Sequence, residues 1–571
     1  MQLSWQHAGP GPRTLGILLL AIAAWSGAVV RGGFAYDDRE AIEGNPVVEG
    51  TVPWLTAFEQ DYWHHRGDAG QWRPLAVLSL RLDRALWGDR TAGFHATNVL
   101  LHLLVIALAA ALVNTVIAGE LRGVAWFGLA VFALHPVLSD SVAWISGRTS
   151  MIAAIGGLLG ALGVASIARH EPGPRDHPAA AVGVIAAVGV FAALAGKEDG
   201  ILFAPLMVLL ALRRSKRAAA ASAVGCGVAV LVWMGFRHAA LGAWLPAANH
   251  AVLGGEPLAA RLLVSGNALV EALRIVLLPL DYSPSYRPAD ILAHVGTGAA
   301  AIALAALGWA LLAALILGGA AALLGPGSRI VGAASLLAGA ALLPHAQLVP
   351  SGEVFAPRFL YLPLLFGIPL VGTLFARVFR RGDHRFAVAA LLVACSIPMA
   401  WDRAGVYASR AAFWTAVLAQ HEDDPRAWNA LGNARMEDGD LARARDAYEM
   451  SLALDPRYSR PWTNLGGIQL EEQDFVGAER SFRRAVAVGP SNPIAHGNLG
   501  HFLARTGRPA EALAEYERAL TLAPGLAFAW RGLGRVRRRL GDETGAVHAF
   551  DRALALDPGD AVAARLRALG Q

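Results

Sequence analysis

The sequence predicts an all-α chain in two parts: a polytopic membrane helical bundle of about 11 spans, then a solenoid of paired helices. Three observations lead there. Of 571 residues, 55% are hydrophobic and only 16% charged, with a mean hydropathy of +0.43, whereas soluble domains lie nearer one quarter charged. Apolar runs recur through the first 400 residues, many of them near the roughly 20 residues that a crossing needs. After residue 420 the composition turns charged and amphipathic, and a period of 34 residues begins.

The apolar runs lie at 14–30, 94–118, 122–136, 149–168, 179–195, 200–212, 218–236, 294–324, 330–349, 358–376 and 386–401. The first has Arg13 before it and a small-residue end, as a signal peptide would. Its 17 residues reach the lower limit for crossing, so it reads as an uncleaved span. A further run, 261–280, is interrupted by Glu271 and Arg274. Charges are expensive at a helix centre, so this run reads as amphipathic or re-entrant.

Loop charges orient the bundle. RRSKR (213–217) and RVFRRGDHR (377–385) are the strongest short basic loops and should both be cytoplasmic, with four crossings between them. The loop 31–72 holds eight acidic and three basic residues. The count puts the N-terminus inside, and the loop 31–72 and everything after residue 401 outside. The expected organisation is a membrane domain over 1–401, a linker helix over 402–424 and a repeat domain over 425–571.

In the repeat domain Trp428, Trp462, His496 and Trp530 recur at 34 residues, as do Leu431, Leu465, Leu499 and Leu533, and Gly432, Gly466, Gly500 and Gly534. Ala444, Ala478, Ala512 and Ala546 repeat in the second half, as do Tyr448, Phe482, Tyr516 and Phe550, and each unit closes on Pro456, Pro490, Pro524 or Pro558. Small residues let helices cross closely, aromatics fill the gap between units, and proline ends the second helix. This is the tetratricopeptide pattern, in four repeats. Asn464 and Asn498 occupy equivalent places on successive first helices, where amides could hold an extended acceptor peptide; as solvated surface residues they would need no such role.

Cys226 and Cys395 fall in apolar runs and form no disulfide framework. The net charge of +5 and pI near 9.4 reflect cationic membrane loops, because no basic face with interleaved aromatics points to nucleic acid. Lysine is nearly absent (Lys197 and Lys216) beside abundant arginine and alanine, a GC-rich pattern that favours a bacterial source.

Polar groups gather in the outward loops. Asp37 and Asp38 follow the first span, and Arg73 opens WRPLAVLSLRLDRALWG, an interfacial helix by its spacing. His95, Asn98 and His102 line one face of the second span. ALHPVLSDSVAWISGRTS offers His135, Asp140 and Arg148; LAGKEDG offers Lys197, Glu198 and Asp199; SGEVFAPRFLYLP offers Glu353 and Arg358. Each alone also suits a helix cap or a snorkelling side chain. Together, cations at interfacial depth suit a lipid-linked phosphate, and a nearby carboxylate suits a general base. That combination describes glycosyl transfer from a lipid-linked sugar phosphate. The paired aspartates, with His64 and His65, could instead hold a hard divalent cation, but adjacent residues in an extended loop point to opposite sides, and no metal or tightly bound cofactor is expected.

These motifs resemble those of the transmembrane and tetratricopeptide-repeat-containing O-mannosyltransferases along nearly the whole chain: FAYDDREAIEGNP, WRPLAVLSL, FHATNVLLHLL, LHPVLSDSVAWISGR, GKEDGILFAPL and RFLYLP, in that order before the repeats. The resemblance implies a membrane glycosyltransferase with an aspartate of the first outer loop, Asp37 or Asp38, as base. It implies Arg148, Lys197 and Arg358 as candidates for the donor phosphate and no metal requirement, and the reading of the outer loops adds Arg73 and His135 to that set. The chain departs from the family at Leu138, where a second histidine is usual, and at Pro357, where glutamate is common, with Glu353 four residues earlier. The expected partners are a polyprenyl or dolichyl lipid carrier and a protein or peptide acceptor, with no nucleic acid. The expected place is a bacterial inner membrane with site and repeats on the periplasmic side, or the endoplasmic reticulum with both in the lumen. Transfer to a lipid or cell-envelope polysaccharide, or a non-enzymatic membrane-anchored scaffold, are the alternatives.

Overall fold

The computed structural model describes residues 11–63, 70–169, 178–244, 252–295, 298–325, 328–348, 353–379, 382–557 and 559–569. Among them the regular structure is helical, and the sole β-type pairing is a bridge between Tyr286 and Phe355. The chain divides into two compact units, Met1–Ala416 and Val417–Gln571.

In the first unit seven helices are long and apolar enough to cross a bilayer: Pro12–Arg31, Thr91–Val116, Ile145–Ala168, Ala179–Gly196, Lys216–Leu241, Ala299–Leu324 and Ala387–Tyr407. Two further pairs, Gly119–Leu134 with Pro136–Val142 and Pro357–Phe366 with Ile368–Val378, bend by 49° and 77° at their breaks. Counting each pair once gives up to nine spans among the described residues, against eleven apolar runs. The difference is a matter of length. Runs 200–212 and 330–349 form helices of 10 residues (Phe203–Leu212) and 12 residues (Arg329–Ala340), about 15 and 18 Å long, where the hydrocarbon is about 30 Å thick.

The interrupted run 261–280 is the helix Leu258–Leu277. Its Glu271 pairs with Arg274 at 2.7 Å and accepts from the Tyr286 hydroxyl at 2.8 Å. Elsewhere the helices approach closely through small residues, which is how helices gain contact when lipid tails are as apolar as their side chains. A Cβ at Gly128 would collide with the Ile368 carbonyl, and one at Gly372 with the Val124 carbonyl, so this pair of glycines seats the two bent elements against each other.

Residues 402–416, expected as linker, belong to the first unit. Phe413 stacks on Tyr36 at 4.6 Å and Trp414 meets the same ring edge-on at 5.8 Å. Their apolar rings are better buried against the first outer loop than left in solvent.

The second unit is four helix pairs and a final helix: Pro425–Glu437 with Leu441–Leu454, Ser459–Glu471 with Phe475–Val488, Pro493–Arg505 with Pro509–Leu522, Ala527–Arg539 with Glu543–Leu556, then Ala561–Ala568. The period has a physical cause at each position. The indoles of Trp428, Trp462 and Trp530 donate to the carbonyls of Glu422, Pro456 and Pro524, each six residues upstream, at 2.8–3.1 Å. His496 makes the same bond to the Pro490 carbonyl through Nε2 at 3.1 Å, so an imidazole replaces an indole without losing the tie. Asp440, Asp474 and Asp542 cap second helices by accepting from the backbone N–H three residues on, at 2.8–3.1 Å, each worth about 1 kcal/mol.

Candidate functional site

The acidic pair separates into two environments. Asp38 opens the short helix Asp38–Ile42 and is fully buried. Its Oδ2 accepts from the Ala35 N–H at 3.0 Å, and its Oδ1 accepts from the Ser146 N–H at 2.9 Å and the Ser146 hydroxyl at 2.8 Å. Burial pushes its carboxyl up from 3.8 to about 7, against these three donors and the Arg148 charge, which pull the other way. Asp37 sits half-buried at the position before that helix. Tyr36 before it adopts a left-handed backbone with φ of 45°, a conformation costing about 1–2 kcal/mol for a side-chain-bearing residue. Stacking on Phe413 and an inclined contact with Trp144 at 5.7 Å hold it there.

The Asp38 carboxyl carries a pH prediction. Its folded value lies above its unfolded one, so the fold favours the proton. The resulting stabilisation is complete below about 3.8 and is lost as pH rises through about 7. Melting temperature in detergent, followed from pH 4 to pH 8, should carry a falling component that Asp38→Asn abolishes; an unchanged slope in the variant refutes this.

The turn that receives Asp38 is built by SDSVAWISGR. A Cβ at Gly147 would strike the Asp140 carbonyl, so glycine lets the chain double back before the next helix. Arg148, expected at the donor phosphate, lies wholly inside: it pairs with Asp83 at 2.6 Å, with side chains 0% and 1% exposed. It also donates to the carbonyls of Phe94 at 3.1 Å and Ile145 at 3.2 Å, and Asp83 accepts from the Thr97 hydroxyl at 2.6 Å. These bonds join the interfacial helix Pro74–Trp87, the span Thr91–Val116 and the turn. His135 is likewise held in place, its Nε2 donating to the Val276 carbonyl at 2.9 Å and its Nδ1 accepting from the Val137 N–H at 3.3 Å. Both residues hold the scaffold in this arrangement. His95, Asn98 and His102 do the same, bonded to the carbonyls of Gly33, Trp144 and Ala133.

The remaining three cations join one chain of contacts. Arg358 lies over the Trp144 ring at 5.0 Å, the ring that also meets Tyr36, and over Phe359 at 5.5 Å. It pairs with Glu353, the carboxylate four residues before the usual place, and faces Asp140 at 3.8 Å. Phe359 stacks on His345 at 3.7 Å and lies 5.9 Å from Lys197 Nζ. Lys197 pairs with Asp199 at 2.8 Å and donates to Ser150 at 3.2 Å. Burial pushes Asp199 up, but the charges of Lys197, His345 and Arg73 prevail and hold it at about 2. Arg73 pairs with Glu198 at 2.9 Å and lies over Tyr62 at 5.9 Å.

Arg358, Lys197 and Arg73 therefore belong to one aromatic-lined network of charges, which the loop carrying Asp37 meets through Tyr36. Trp144, Ser150, His345, Phe359 and Tyr407, whose hydroxyl donates to Asp140, are its unforeseen members, and Asp83 and Ser146 are the unforeseen partners of Arg148 and Asp38. A signal existed for Asp83 alone: a carboxylate inside a helix otherwise punctuated by arginines. His64 and His65 lie outside the described residues. Among the described residues no group of three or more His, Cys, Asp or Glu is placed to hold a metal ion.

In the repeats Asn464 and Asn498, the amides expected to hold an acceptor peptide, make hydrogen bonds within the unit. Asn464 donates both amide hydrogens to the preceding repeat, to Asn429 at 3.1 Å and Asn433 at 2.8 Å. Asn498 donates to Ile494 of its own helix at 3.0 Å.

Tetratricopeptide-repeat profiles match residues 425–458, 464–527 and 527–560. Over 131 residues the chain is 39% identical to Protein O-mannosyl-transferase Tmtc2 of Drosophila melanogaster, covering 22% of this chain and 13% of that one. It is 40% identical over 136 residues to TMTC1 of Mus musculus, covering 23% and 14%. The chain resembles the TMTC O-mannosyl-transferases. Human TMTC2 is 35% identical over 133 residues, covering 23% of this chain and 16% of its own, so the match spans about one sixth or less of these relatives. Among solved structures, YrrB, a TPR protein with an unusual peptide-binding site, is 20% identical with a TM-score of 0.24, covering 34% of this chain and 97% of its own. PilW, a type IV pilus biogenesis factor, is 27% identical with a TM-score of 0.25, covering 26% and 70%.

Proposed function

We propose that the chain is an integral-membrane glycosyltransferase that moves mannose or a similar hexose from a polyprenyl- or dolichyl-phosphate donor to a Ser or Thr hydroxyl of a protein. The observation that carries this reading is the network linking the Asp37 loop to Arg358, Lys197 and Arg73 through Tyr36, Trp144 and Phe359. The names of the relatives agree with it. Asp37, half-buried beside this network, takes the proton of the acceptor hydroxyl, while Asp38 positions the loop from beneath. The acceptor oxygen attacks the anomeric carbon as the bond from that carbon to the phosphate oxygen breaks. The phosphate leaves with the electron pair, stabilised by Arg358, Lys197 and Arg73. Two of these cations hold carboxylates that remain part-exposed, Glu353 at 31% and Glu198 at 35%, so the phosphate displaces them at small cost. In this reading the site faces the outer or lumenal side, and no metal takes part.

The test is transfer by the purified full chain in lipid–detergent micelles, supplied with polyprenyl-phosphate mannose and a Ser/Thr-containing protein. Hexose on the protein by mass spectrometry, formed equally with a chelator present, is the expected result. Hexose found only on lipid or glycan would replace this reading with the envelope-polymer one.

A further inference from the structure

The repeats carry a cluster of cations that their own carboxylates leave mostly unanswered. His501 and Arg505 lie one turn apart on Pro493–Arg505, and Arg531 and Arg535 one turn apart on Ala527–Arg539, each pair on one helix face. These two helices pack against each other, and the 34-residue period sets His501 level with Arg535. Arg531 is held by Asp560 at 2.7 Å. Among the described residues His501, Arg505 and Arg535 form no ion pair, and all three are exposed. Partial desolvation by its neighbours and the charges of Arg505, Arg535 and Arg531 hold the His501 imidazole below its ordinary range, and no carboxylate offsets them. Several other arginines of the unit are answered: Arg445 by Glu472, Arg483 and Arg508 by Glu479 and Glu511, Arg537 by Glu517, Arg538 by Glu543.

The equivalent helices of the first two repeats present a different chemistry, the linked amides of Asn429, Asn433 and Asn464. One end of the series is neutral and hydrogen-bonding, the other cationic. Like charges gathered without a counter-charge destabilise a fold, and a complementary partner relieves them. We propose that the face formed by His501, Arg505, Arg531 and Arg535 binds an acidic stretch of polypeptide, with carboxylates seated on Arg505 and Arg535. A polypeptide fits better than nucleic acid, because the neighbouring aromatics are engaged: Tyr516 is buried and Arg552 lies over the Trp530 ring at 5.8 Å, so neither ring is a free stacking platform. That this stretch flanks the modified Ser or Thr rests on the transferase reading; the binding itself does not.

The full chain in detergent is titrated with a fluorescent peptide of alternating Glu and Ser, and with its Gln counterpart. The acidic peptide should bind at least about tenfold tighter and lose affinity with salt, as exposed charge pairs do. Arg505→Gln/Arg535→Gln should lose about tenfold, whereas Arg518→Gln, the same change on the second helix of the third repeat, should not. Equal affinity for both peptides, an unaffected double variant, or tighter binding of a single-stranded oligonucleotide each overturns the proposal. Binding and transfer fail separately. An acidic peptide that binds but is never glycosylated removes the transferase reading alone, and transfer indifferent to the acidic flank removes its role in acceptor choice.

Discussion

Asp37→Asn is expected to lower transfer by about 10²–10⁴-fold, the usual contribution of a general base, while the protein keeps its melting temperature and its affinity for the lipid donor. The substitution preserves shape and removes the proton acceptor. The neighbouring Asp38→Asn should behave differently. The Asp38 carboxyl is enclosed and meets three donors, from Ala35 and twice from Ser146. An amide must turn its own N–H₂ toward at least one of them, which costs on the order of 1–3 kcal/mol. Its effect should therefore register first as lower stability, with transfer lost in proportion to folded protein. Rates normalised to folded protein separate the two variants. If Asp38→Asn loses rate at full folding and Asp37→Asn does not, the roles are reversed.

The second large effect is expected at Arg148. Arg148→Met should destabilise the membrane unit by about 3–5 kcal/mol, because it leaves the Asp83 carboxylate buried without its partner. Asp83→Leu should do the same from the other side. The double variant should recover much of the loss, since two apolar groups of similar volume replace a buried pair nearly neutrally. Thermal unfolding in detergent measures all three. A single variant that melts with the wild type would show that Arg148 is no pin of the turn.

What could be read from the sequence follows from how local each determinant is. The repeats were legible because their contacts recur at one spacing: indole to carbonyl six residues back, aspartate to backbone N–H three residues on. The all-helical bundle was legible from composition, but its span count was not. Runs 200–212 and 330–349 are apolar enough and too short, and hydropathy does not measure where a helix ends. The charged loops pointed to Arg73, Lys197 and Arg358, all of which meet in the network. They also pointed to Arg148, whose partner stands 65 residues earlier in a helix read only as interfacial. No spacing rule pairs residues so far apart. The same limit left Asp37 and Asp38 unranked, because what separates them is Ser146, 108 residues downstream.

That separation bears on how the protein is made. The loop carrying Asp37 leaves the ribosome soon after the first span, but both ligands of Asp38 Oδ1 come from Ser146. The span Thr91–Val116 and the bent element after it must be inserted first, and the turn before Thr149 must have reached the same side. Until then the loop has no docking site, and its buried carboxylate, its left-handed tyrosine and the rings of Phe413 and Trp414 remain unassembled. Completion of the acidic loop is thus a late event in biogenesis, set by the delivery of distant segments, so truncated or stalled chains will carry the aspartates without the geometry that gives them a use.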